Sequence, residues 1–287
     1  MNNRASWKIE RQLLLGALMC AILLIVGYLL LVGTGWGHRF DDDAFFARKL
    51  LNWRIIRLDF DILDLVNKAA LLAAAIMLLM IATVRRCILV GVISVAGFAC
   101  AVAGAEILKH ALPWRALNSS DLLLESGFQR NTYPSGHATI GTSLVLSVLL
   151  VSSSRWRPWL AVAGGSVSST FATGVLFAGW HRPSDAIGAL AWSGLCMSLA
   201  AASAIRLRGR PRSVIGHPVR AVLASLALAI LVVAGTWLIA AERPAEYSHA
   251  DQPFFVLTAL MIGGAFSLIS WYGWQLRAVD WVADRAR

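Results

Sequence analysis

Eight stretches of the chain, at about 13–33, 64–84, 88–108, 134–152, 159–180, 186–205, 221–241 and 253–275, are almost wholly apolar. Each runs for roughly the twenty residues that a helix needs to cross a bilayer. Short polar segments separate them, so the pattern predicts an all-α fold, a polytopic transmembrane helix bundle. Six helices form a core over residues 1–205, a basic linker follows over 206–220, and 221–287 holds two extra transmembrane helices and a short tail. One segment breaks the alternation. Over about 41–63, Phe45, Phe46, Leu50, Leu51, Trp53, Ile55, Ile56 and Leu58 are interspersed with Arg48, Lys49, Arg54 and Arg57. That mixture fits an amphipathic helix lying in the membrane interface, and equally a surface helix packed on the bundle.

Composition sharpens the class. Of 287 residues, 58% are hydrophobic and 15% charged, with a mean hydropathy of +0.66, more apolar surface than a soluble core of this size would use. The net charge of +10 does not point to nucleic acid, because the basic residues fall between apolar runs rather than along a stripe interleaved with aromatics. With both termini cytoplasmic, 15 of the 26 basic residues lie on the inner side, the bias expected of a multi-pass protein of the plasma membrane. Arg4, Lys8 and Arg11 precede a first run too long for the apolar part of a signal peptide, which makes it an uncleaved span. Cys20, Cys87, Cys100 and Cys196 lie in or beside apolar runs without paired spacing or neighbouring histidines, so neither a disulfide framework nor a zinc site is indicated.

Two polar interruptions carry candidate chemistry, both on the predicted outer face. Thr132 Tyr133 Pro134 Ser135 Gly136 His137 opens the fourth run, and Trp180 His181 Arg182 Pro183 Ser184 Asp185 opens the sixth. A proline near a first helical turn costs no hydrogen bond, and the unpaired N–H groups there favour an anion. Gly136 would let that anion approach the backbone, and a phosphate would justify His137 beside the positive helix end. His181 and Asp185, four apart, place a carboxylate where it can hold one imidazole nitrogen and leave the other to attack. Glu106 and Lys109 share a helical face at the end of the third run, with Arg115 following. Lys109 and Arg115 offer a point charge and a planar fork for phosphate. Plain structural accounts stand beside these: an interfacial ion pair for Glu106 and Lys109, a capped helix start at Ser135, a satisfied histidine at 181. No metal-ligand spacing is present.

Taken in order, Lys109 to Arg115, Pro134 Ser135 Gly136 His137 and Gly179 Trp180 His181 Arg182 Pro183 Ser184 Asp185 resemble the three motifs of the type 2 phosphatidic acid phosphatase superfamily, over about residues 10–205. The resemblance implies a phosphatase without metal or other cofactor. In it His181 is the nucleophile that becomes a phosphohistidine, Asp185 its orienting partner and His137 the acid for the leaving oxygen. Lys109, Arg115, Ser135 and Gly136 bind the phosphate. It also implies a lipid phosphate or polyprenyl diphosphate as substrate, of the phosphatidate, phosphatidylglycerol phosphate or polyprenyl diphosphate type, met among membrane lipids at the outer face. The sequence departs from the family pattern twice. Five residues rather than six separate Lys109 from Arg115, with Ala116 where Pro is usual, and Val175 stands where the third motif carries Arg. Arg182 or Arg130 is the expected replacement cation. A phosphotransferase of the same fold, or a non-catalytic lipid-binding or transport protein, is the alternative.

Overall fold

The computed structural model describes residues 3–51, 53–113, 131–208, 210–211, 252–281 and isolated positions within 227–234. Nearly all of this is helical: α1 Asn3–Gly27, continued by a π-turn Tyr28–Val32; α2 Gly35–Ala47; α3 Trp53–Leu63; α4 Lys68–Val84; α5 Ile88–Ala111; α6 Gly136–Val151; α7 Arg157–Phe177; α8 Pro183–Arg208; and α9 Gln252–Gln275. The one β pairing among the described residues is two residues long, Arg210–Pro211 against Val279–Asp280. The protein is thus an all-α, multi-pass membrane bundle. Five segments are long and apolar enough to span: Ser6–Val32, Ile88–Ala111, Arg157–Phe177, Pro183–Arg208 and Gln252–Gln275. Ile56–Leu63 and Lys68–Val84, bent by 66° at their junction, make a sixth if they are one broken span. The fourth apolar run folds as a helix of 16 residues, shorter than the other spans. The predicted seventh run, 221–241, falls outside the described residues apart from isolated positions, as does most of the linker 206–220.

Local signals explain where the helices start. Thr34, Asn67 and Ser135 each turn a side-chain oxygen onto a first-turn N–H, of Gly37, Ala70 and Ala138 respectively, which satisfies a donor the helix itself cannot. Packing then follows side-chain size. Helix α8 lies at the centre, touching α1, α5, α6, α7 and α9. Its buried face is built of Ala186, Gly188, Ala189, Ser193, Gly194, Ala201 and Ala204, the small residues that let membrane helices approach closely. At Gly188 a Cβ would stand 2.4 Å from the Tyr133 ring, so that residue's smallness admits the strand that leads into α6.

Two further elements depart from the sequence pattern. The segment expected to lie amphipathically at 41–63 is two helices, and α2 begins earlier, at Gly35. Phe45 is buried with Leu63, Val175, Leu176 and Phe254, so α2 is a packed part of the bundle, while α3 keeps Arg54, Arg57 and Leu58 exposed. Tyr272, which sits where an interfacial anchor would, is fully buried, and its hydroxyl donates to the Met197 carbonyl at 3.1 Å.

One end of the bundle is held by arginine. The side chain of Arg157, buried at the start of α7, donates to the carbonyls of Leu149 at 3.0 Å, Leu150 at 3.5 Å and Leu276 and Val279 at 2.5 Å. Arg85 bonds Val151 O and pairs with Asp280 at 3.1 Å, and the Trp281 indole donates to Leu150 O at 2.6 Å. The carbonyls left over at the ends of α6 and α9 are therefore met by cationic donors rather than by water.

Candidate active site

At the opposite end, the end of α5 and the starts of α6 and α8 converge. Helix α7 stops at Phe177 because Gly179 takes a left-handed φ of +75°, the conformation that favours glycine at a helix C-terminus. The chain then doubles back, and the N–H groups of Trp180 and His181 both donate to Val175 O, at 2.9 and 3.0 Å. That fixes the backbone on which His181 is carried. The imidazole Nδ1 lies 3.1 Å from Asp185 Oδ2, across the first turn of α8. The same oxygen accepts from Thr132 Oγ1 at 2.6 Å and from Arg182 N at 3.1 Å. Three donors on one carboxylate hold it in place, and Nε2 is the ring nitrogen left for other chemistry.

The two polar interruptions are joined covalently only through distant sequence but directly through space. Ser135 N donates to the Asp185 carbonyl at 2.9 Å, so the start of α6 is hydrogen-bonded to the first turn of α8. Ser135 spends its hydroxyl on capping Ala138 N, at 3.4 Å, while no described residue accepts from the N–H of Gly136 or His137. The His137 ring stacks obliquely on Trp180 with centroids 5.0 Å apart, and Trp180 meets Phe60 of α3 edge-on at 5.4 Å. Lys109 reaches the same spot from α5. A Cβ on Gly136 would lie 3.2 Å from its Nζ and 3.1 Å from Glu106 Oε1, and these two charged ends are paired at 2.6 Å. Asn131 ties the parts together, its amide donating to the carbonyls of Lys109 at 3.3 Å and Leu112 at 3.4 Å while its oxygen accepts from Tyr133 N at 3.1 Å.

Of the residues singled out in sequence, the fold gathers Lys109, Ser135, Gly136, His137, His181 and Asp185. Arg115 and Arg130 lie outside the described residues. Val175, in the position where the resembled family has Arg, is fully buried and serves through its carbonyl. Arg182, the other expected replacement cation, is held through its Nε, 2.6 Å from Asp42 Oδ1, both residues being 4% exposed.

That ion pair belongs to a layer the sequence pattern did not reveal. Helix α2 places His38, Asp41 and Asp42 against residues 182–184. Asp42 Oδ2 lies 3.4 Å from His38 Nε2, and Asp41 accepts from both Ser184 N, at 2.9 Å, and the Ser184 hydroxyl. Burial above all, with the Asp185 charge nearby, pushes Asp41 up to about 7, although its Ser184 hydrogen bonds and Arg182 oppose the shift. Burial likewise lowers His38 against the pull of Asp42. Arg182 and Ser184, between His181 and Asp185, are thus gripped from α2. A hint was present in the sequence, since three consecutive acids, Asp41 to Asp43, in a bundle with few charges need partners.

Among the described residues no group of three or more His, Cys, Asp or Glu side chains is arranged to hold a metal ion. Compared with known proteins, the chain matches no family model, no curated protein and no solved structure.

Proposed function

We propose that the protein is a membrane phosphatase of the type 2 phosphatidic acid phosphatase kind, acting on a lipid phosphate monoester or diphosphate at the outer face of the plasma membrane. The observation that carries this reading is the pairing of His181 Nδ1 with Asp185 at 3.1 Å, beside a helix start that offers His137, Lys109 and two N–H groups without described acceptors. An anion bound at Gly136 meets the positive end of α6, the Lys109 ammonium and the backbone donors together. The six-helix core with two further helices belongs to the same proposal.

Chemically, Asp185 keeps the proton on Nδ1, so the Nε2 lone pair attacks phosphorus and forms a P–N bond as the P–O bond to the lipid breaks. Protonated His137 gives its proton to the departing oxygen. Water then attacks the phosphohistidine, losing a proton to the now neutral His137, and the P–N electrons return to Nε2. One imidazole must be neutral and the other charged, so the rate follows a bell-shaped pH profile. Transfer to a lipid or sugar hydroxyl shares the first half of this sequence and differs in the acceptor.

The test is phosphate release by the detergent-purified protein, with EDTA present, from phosphatidate, phosphatidylglycerol phosphate and polyprenyl diphosphates, beside His181→Ala and His137→Ala. Release lost in His181→Ala, with an acid-labile phosphoprotein trapped in His137→Ala, supports the reading. Release undiminished in His181→Ala refutes it. Stimulation by an added alcohol would identify transfer.

A further inference from the structure

Lys109 is the described cation closest to the proposed phosphate seat, and a carboxylate already holds it. Glu106 lies one turn before Lys109 on α5, and their charged ends meet at 2.6 Å. The pair does not merely decorate the outside of α5. Both Glu106 Oε1 and Lys109 Nζ abut the first residue of α6, since a Cβ on Gly136 would stand 3.1 and 3.2 Å from them. A negative oxygen resting on an ammonium at a helix N-terminus has the surroundings that a phosphate oxygen would have there.

We propose that Glu106 is a resident counter-anion that competes with the substrate's phosphoryl group for Lys109 and the start of α6. This inference rests on the phosphatase reading of the site. A carboxylate and a phosphate dianion cannot share those donors, because like charges a few ångströms apart repel strongly where water is scarce. One must leave. Glu106 is free to do so: its side chain is 58% exposed whereas that of Lys109 is 18% exposed, so it can swing into water while Lys109 stays. Rotation about the Glu106 side chain moves the carboxylate off Lys109 without disturbing α5.

The consequence is a site that the product does not saturate. Displacing Glu106 weakens every phosphate equally, but a lipid phosphate brings apolar tails that add binding of their own. Inorganic phosphate brings none, so the product is expelled and does not saturate the site. Glu106 acts in this account by setting phosphate affinity, with no role in bond making or breaking.

The experiment compares the full-length wild-type chain with Glu106→Gln and Glu106→Asp in the same detergent. Inorganic phosphate is titrated both as an inhibitor of turnover and directly, by its effect on thermal unfolding. Gln keeps an oxygen to accept from Lys109 and removes the charge; Asp keeps the charge. In Glu106→Gln the inhibition constant for phosphate and the KM for lipid phosphate should both fall by about three- to tenfold, the worth of deleting a half-exposed like charge beside a dianion. The kcat should stay level or drop as product release slows. Glu106→Asp should stay within about twofold of wild type. Wild-type turnover together with an unchanged or raised phosphate constant in Glu106→Gln overturns the inference alone, a rise meaning that Glu106 serves to place Lys109. If wild type neither turns over nor binds phosphate, the phosphatase reading falls and this inference falls with it.

Discussion

Replacing Asp42 by alanine strips a buried guanidinium of its carboxylate. Arg182 and Asp42 are each 4% exposed and meet at 2.6 Å, and His38 loses its 3.4 Å contact in the same change. Removing one partner of a buried pair costs about 3–5 kcal/mol, mostly the penalty of leaving the other charge in a dry place. The damage reaches chemistry because Arg182 follows His181 directly, and its own N–H bonds Asp185 at 3.1 Å. Under the proposed function, a displacement of about 1 Å at His181 should lower turnover by about a hundredfold. The assay is denaturant unfolding in a fixed detergent, with phosphate release measured on the fraction still folded. Asp42→Leu combined with Arg182→Met is the control: an apolar pair of similar volume should recover most of the stability, while the rate recovers only as far as the His181 backbone does. Asp42→Ala within about 1 kcal/mol of wild type would refute the account, since an exposed pair is worth no more than that.

Two other outcomes follow from the same corner of the molecule. Asp41, raised from 3.8 to about 7 in the folded chain, is protonated more readily folded than unfolded; the stability it lends is fully present below about pH 4 and is lost as pH rises towards 7. Wild type should therefore lose stability relative to Asp41→Asn from pH 4 to 7, with the difference level above, and a constant difference across that range would sink the assignment. Gly179→Ala forces a Cβ into a left-handed φ of +75°, 2.8 Å from Arg48 Nε, at a cost of about 1–2 kcal/mol. Turnover should drop further than stability because His181 N is bonded to Val175 O through that turn, and equal losses in both measurements would show that the turn does not position the histidine.

Much of the frame was legible because its signals are local. Apolar runs of spanning length match α5, α7, α8 and α9 to within a few residues, whereas α1 begins at Asn3, well ahead of the apolar run at 13, and four-residue spacing puts Asp185 beside His181. Ser135 announced itself as a cap by residue type and position. What escaped were partners far apart in sequence. Nothing near Arg182 signals Asp42, 140 residues earlier, which meets its Nε at 2.6 Å. The same applies to α2 itself: a stretch as polar as His38 to Asp43 has no periodic apolar face, and its buried acids pack inside because Asp42 meets Arg182 and Asp41 meets Ser184, both at the start of α8.

The arginine-fastened end has a mechanical meaning. Arg157 binds carbonyls from the ends of α6 and α9 at once, and these helices can neither slide nor splay there without exposing a buried cation. Under the proposed function, a widening that admits a substrate would have to occur at the histidine end, with the arginine as the pivot of a pair of tongs. Opening by a few degrees about that pivot is magnified along the length of α6, roughly 24 Å at 1.5 Å per residue over its 16 residues. Rigidity at one face of the membrane is therefore what allows compliance at the other.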